Sequence, residues 1–161
     1  MWIDETDLTQ MAQRLRVGPR ELIEAIGGPW FVVRRSFEQE IALPGTLFVG
    51  RAGPSVAVLL SDDEVPSVRV GRAEGEWVDP GTLVWSVTEP VVVLASVGRE
   101  ASDAEVAVML SALTHAIDHA YEAKRPQLVT CRYCGTLVAP EHAVSDDMCQ
   151  GCGSRILGIV Y

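Results

Sequence analysis

Hydrophobic positions near the start of the chain recur with a helical period. Leu8, Met11, Ala12 and Leu15 fall at i, i+3, i+4 and i+7; after the break at Val17-Gly18-Pro19, Leu22, Ile23 and Ile26 draw a second face. Pro19 suits a first helical position, where its missing N–H is no loss, and Gly27 suits a C-terminal cap. A compact helical pair is expected over 1–28. From Trp30 to Val97 the texture changes to short apolar, β-branched runs: WFVVRR, TLFVG, SVAVLLS, SVRVG, GTLVWSV and PVVVLASV. RAGPS, DDEVPS, RAEGE and DPG separate them as turn-type stretches. Six strands at this spacing predict a mostly antiparallel sheet. Their continuous rather than alternating apolar character implies burial on both faces or a covering of helices. ASDAEVAVMLSALTHAIDHAYEAKR then returns to a helical period, with Val106, Met109, Leu110, Leu113, Ile117 and Tyr121 on one stripe and Ser102 with Glu105 as a capping box. Pro126 ends it. The pattern predicts an α+β fold: a helical pair (1–28), an α+β core domain with a long covering helix (29–125) and a separate C-terminal unit (126–161).

At 161 residues the chain has room for one main core and a small appendage. With 48% hydrophobic and 22% charged residues it reads as an ordered globular protein. No apolar run approaches the ~18–20 residues that cross a bilayer, and the acidic start MWIDETDLTQ is unlike a secretory signal. A cytoplasmic protein with no membrane association is the expectation. In that compartment the four cysteines point to metal or redox chemistry rather than to a disulfide framework. The net charge of -9 is carried by residues 37–120, where four arginines face thirteen acids, while both flanks are neutral. Such a surface repels phosphate, which disfavours sequence-independent binding of nucleic acid.

All four cysteines lie in CRYCGTLVAPEHAVSDDMCQGCG, as two CxxCG pairs. A thiolate metal site needs four soft donors on a tetrahedron at about 2.3 Å each. A CxxC turn brings two sulfurs to one ion, and Gly135 and Gly153 suit a turn that closes with positive φ. The residues between the pairs allow TLVA to go out as a strand, PEHAV to turn and SDDM to return, with RILGIVY as a further strand. Over about residues 129–161 this resembles the zinc ribbon family. The resemblance implies that Cys131, Cys134, Cys149 and Cys152 bind one zinc, and a closed four-sulfur shell gives that zinc a structural character. Rubredoxin-like proteins hold iron with two similar knuckles, but this segment lacks the prolines and aromatics that usually shield that iron. A redox dithiol would place one CxxC at a helix N-terminus after a strand and leaves the second pair unexplained. Arg132 and Arg155, beside the pairs, are placed to offset the thiolate charge.

Residues 11–26 also have the form of a helix-turn-helix, with Arg14, Arg16 and Arg20 facing phosphate, although Glu21 and Glu24 oppose that field. His115 and His119 at i, i+4, with Asp118 and Glu122, have metal-ligand spacing but lie opposite the apolar stripe, where a solvated face is expected. His142 reads as a loop residue, and the acidic runs at 61–64 and 145–147 as solvated turns. The glycine-containing stretches match neither a phosphate loop nor a dinucleotide fingerprint, and no nucleophile motif is evident. The apolar tail RILGIVY either docks on the main domain or is offered to a partner. The expected function is non-enzymatic: an adaptor or regulator that binds a protein partner, stapled by structural zinc. The alternative is a DNA-binding transcriptional regulator using the helical pair, the cysteine module or both.

Overall fold

A computed structural model describes residues 4–5, 8–33, 39–42, 44–50, 55–62, 67–95 and 100–158. The turn at 51–54, Asp63 and Glu64 of the acidic run, and 159–161 of the apolar tail lie outside these residues.

After the short strand β1 (Asp4–Glu5) come helices α1 (Thr9–Leu15) and α2 (Pro19–Ile26). Arg16 closes α1 in the left-handed conformation, and Gly27 closes α2 with its N–H on the Ile23 carbonyl at 2.8 Å. Met11, Ala12, Leu15, Leu22 and Ile26 are buried, whereas Ile23 is 49% exposed. Leu22 and Ile26 form the i, i+4 contact line of this short helix, and Ile23 falls one position to its solvent side.

The sheet is built from β2 (Trp30–Val33), β3 (Gln39–Ile41), β4 (Thr46–Gly50), β5 (Val56–Leu60), β6 (Ser67–Asp79) and β7 (Thr82–Ala95) together with β1. Its order is β1-β2-β4-β5-β6-β7-β3, antiparallel throughout except that β3 runs parallel to β7. Side chains alternate between two cores. Trp30, Phe48, Val56, Val58, Leu60, Val68 and Val70 face the helices. Val33, Leu47, Val49, Ala57, Leu59, Ala73, Leu83 and Trp85 meet on the opposite face. Burial on both faces explains why these runs read as continuously apolar.

The β6–β7 hairpin corrects the sequence expectation. RAEGE is not a turn; it lies inside a thirteen-residue strand. Gly75 is there because a Cβ would stand 2.9 Å from the Leu83 side chain, and Gly71 because a Cβ would meet the Thr88 carbonyl at 2.5 Å. β7 likewise runs unbroken through Pro90. The pairing sum changes between Val70↔Val92 and Arg72↔Thr88 by two residues, so each strand keeps the same side chains on the same face across the irregularity.

Helix α3 (Asp103–Lys124) begins at a complete capping box, with the Glu105 N–H donating to Ser102 Oγ and the Ser102 N–H to Glu105 Oε2. Met109, Leu110, Leu113, Ala116, Ile117 and Ala120 bury its inner face against the sheet and against α2. No helix among the described residues is long and apolar enough to cross a membrane. A 3-10 turn (Arg125–Gln127) leads to the C-terminal module: β8 (Val129–Thr130) paired with β9 (Leu137–Val138), a second 3-10 turn (Pro140–His142), the hairpin β10 (Ala143–Ser145) with β11 (Met148–Cys149), and helix α4 (Gln150–Leu157).

Candidate metal centre

The first cysteine pair sits in a tight loop between β8 and β9. The Gly135 N–H donates to the Cys131 carbonyl at 2.7 Å, and the Cys131 N–H donates to the Thr136 carbonyl at 2.9 Å. Gly135 turns this loop at φ 73, where any other residue would be strained. The Arg132 N–H reaches the Asp147 carbonyl at 2.9 Å and ties the loop to the hairpin that delivers the second pair.

That second pair is built differently from the expectation. Cys149 ends β11 and caps α4, its Sγ accepting the Cys152 N–H at 3.4 Å. Gly153 is a helical residue and closes no turn, and Arg155 to Leu157 continue the helix where a strand was expected. The residues QGCGSRIL have room to coil because the sulfur of Cys149 serves as N-cap acceptor, a role usually taken by a serine or aspartate oxygen. This is the strand-then-helix setting a redox dithiol uses, but here two further sulfurs converge on it.

The four Sγ atoms of Cys131, Cys134, Cys149 and Cys152 all lie within 4.8 Å of one another, and Cys134 and Cys149 are 3.8 Å apart. A tetrahedron of sulfurs at about 2.3 Å from one ion has edges of about 3.8 Å. The cluster could therefore hold a metal ion. Cys131, Cys149 and Cys152 are buried and Cys134 is exposed, so one edge faces solvent. Hydrogen bonding, first from the Cys149 backbone, draws the Cys131 thiol down to about 6, and the Thr136 hydroxyl lowers Cys134. Burial and then the neighbouring thiols push Cys152 up to about 12. All four could ionise together only around a cation.

Arg155 reaches Cys152 Sγ at 3.7 Å and the Gly151 carbonyl at 3.2 Å, the placement expected of it. Arg132 instead pairs with Asp147 at 3.0 Å and stacks on Tyr133. Asp147, which also accepts from Ser145, thus holds the loop and hairpin together.

His142 lies in the connecting turn, as the sequence suggests, but it is buried. It is 8% exposed, packed at a tilt on Trp85 with ring centroids 5.8 Å apart, and burial pulls it down to about 4. Among the described residues, Trp85 Nε1 and His142 Nε2 are buried without a hydrogen-bond partner. Beside them Lys124, 1% exposed, reaches both Glu141 carboxylate oxygens at 3.4 and 3.5 Å. The Glu141 carbonyl accepts from Gln150 at 3.1 Å and from Trp77 at 3.4 Å. Sequence reasoning passed over this junction. The available signal was a lysine seven residues after Ile117, on the continuation of the apolar stripe of α3.

The other candidates do not converge. His115, Asp118, His119 and Glu122 are all exposed, and among the described residues the cysteines form the one group with metal-ligand spacing. Arg14 bonds Asp62 and the Ser61 carbonyl, Arg20 pairs with Glu24, and Arg16 ends α1. In comparison with known proteins, no family model, no curated protein and no solved structure matches this chain.

Proposed function

We infer that the chain is a non-enzymatic adaptor or regulatory protein acting through a protein partner, with one structural zinc bound by Cys131, Cys134, Cys149 and Cys152. The observation that carries this reading is the mutual approach of all four Sγ atoms within 4.8 Å. Such a shell is complete without water or substrate, so the metal fixes conformation and performs no reaction. All-sulfur tetrahedra suit zinc and iron alike; the zinc ribbon resemblance favours zinc. What the ion would hold together is a set of very short strands, two or three residues each, that cannot form a stable sheet unaided. The module then presents Tyr133, Ile156 and Leu157 to solvent, each about half exposed, which supports a role in recognition.

Native mass spectrometry and elemental analysis of the full chain should give one zinc per polypeptide, lost on substitution of Cys131 or Cys152 by serine. Affinity capture from the native host should retain a specific protein on the parent chain and not on these variants. Turnover traced to the metal, or duplex DNA binding that weakens steeply with salt, would overturn the reading.

A further inference from the structure

An open groove of about 330 Å³ separates the tip of the β6–β7 hairpin from the C-terminal module. Trp77, Asp79 and Pro80 of the hairpin line it, together with Pro140, Glu141, Ala143 and Gln150 of the C-terminal module. We propose that this groove binds a short extended segment of a partner protein in which a proline or aliphatic side chain stands next to lysine or arginine. The proposal rests on the adaptor reading above and names the surface and the partner chemistry for it.

The shape suits a peptide. The volume lies at the low end of ligand sites, roughly 300–1,000 Å³, and so fits a pair of side chains rather than a folded surface. Trp77 is 41% exposed, and its indole N–H is turned to the Glu141 carbonyl at 3.4 Å. That contact satisfies the polar edge and leaves the ring as an apolar wall. Pro80 and Pro140 are rigid and exposed, so little is ordered on binding. Aromatic-lined grooves of this type recognise extended segments, which are already near their bound conformation.

The charge selects a cation. The ionisable side chains lining the groove are both carboxylates, and Lys124 already neutralises Glu141. Asp79 remains. One of its oxygens accepts the Gly81 N–H at 2.9 Å, and the carboxylate also accepts from Thr82, which together fix it at the hairpin turn. A lysine or arginine placed there would face this carboxylate in a groove that the indole of Trp77 also lines. The net charge of -9 favours its approach at long range.

Pro140, Glu141 and Ala143 lie between the two cysteine pairs and Gln150 inside the second, so the groove should exist only while the metal site is intact. The test is selection of displayed random dodecapeptides on the full chain loaded with zinc, followed by fluorescence anisotropy of those recovered. The expected set combines proline or aliphatic residues with lysine or arginine. Trp77→Ala should weaken their binding about tenfold or more, and Asp79→Asn, which keeps the turn hydrogen bond, about threefold to fivefold. Asp103→Asn, at the far end of α3, should change nothing. All three variants should keep one zinc per chain, which separates loss of the groove from loss of the fold. Recovery of no peptide, of acidic peptides, or of peptides bound equally by Trp77→Ala and Asp79→Asn would overturn the proposal. A host protein captured equally by the parent and Trp77→Ala overturns the groove alone; a chain that captures no protein overturns the adaptor reading as well.

Discussion

Single residues carry the clearest consequences of this arrangement. Gly135 has positive φ, and a Cβ at this position would have no neighbour within 4 Å, so Gly135→Ala meets backbone strain without a clash. A loss of about 1–2 kcal/mol is expected, readable as a lower midpoint in chemical denaturation. His142 makes stability depend on pH. Its folded value of about 4 lies below the ordinary 6.5, so the folded state binds fewer protons. Stability is therefore complete above about pH 6.5 and declines as pH falls towards 4, by roughly 3 kcal/mol in total. Between about pH 7 and pH 5 the parent should lose about 2 kcal/mol more than His142→Phe. Urea titrations at the two pH values measure that difference, and identical losses in the two proteins would rule out the histidine as its source. The cysteines were legible as residues because two CxxCG pairs are rare. His142 was not, because burial of a loop side chain depends on what the rest of the chain lays over it.

Among elements, the junction of α3 with the turn Pro140–His142 is held by a buried ion pair. Lys124→Met would leave the Glu141 carboxylate, 7% exposed, without its counter-charge. A cost of about 3–5 kcal/mol is expected, most of it recovered in Lys124→Met with Glu141→Leu, where neither charge remains. A double-mutant cycle decides this; a double variant whose loss equals the sum of the two single losses would show that the pair does not couple. The long helix itself was legible in full, from its capping box to Pro126, because a helical period is a local property of sequence. The β6–β7 hairpin was broken too early because its glycines look like turn signals. Gly71 is demanded by the approach of the Thr88 carbonyl and Gly75 is favoured by that of the Leu83 side chain, which are neighbours only across the ladder. The last turn of α4, Arg155 to Leu157, reads as a strand in the sequence for a related reason: the N-cap of the helix is a cysteine sulfur, which propensity rules do not anticipate.

At the scale of the molecule, two apolar cores flank the sheet, and the cysteine cluster forms a third, smaller one with Met148, Val138 and Val144. The first two are large enough to stand without the metal; the third is not. Removing the proposed zinc with a chelator should therefore abolish hydrogen-exchange protection over 129–157 while protection in β4, β5 and α3 survives. Loss of protection throughout would mean that the sheet depends on the module that covers Trp85. Removal should also expose Trp85 and His142, giving a red-shifted tryptophan emission that returns when zinc is restored.

Local pattern alone determined that this chain has a helical pair, β-rich runs, one long helix and four paired cysteines, because periodicity, capping and ligand spacing act over a few neighbouring residues. Only the tertiary structure decided which side chains fill each face of the sheet, that the second cysteine pair opens a helix, and that Lys124, Glu141, His142 and Trp85 form one junction. These depend on contacts between residues far apart in the chain, and burial and close approach have no local signature.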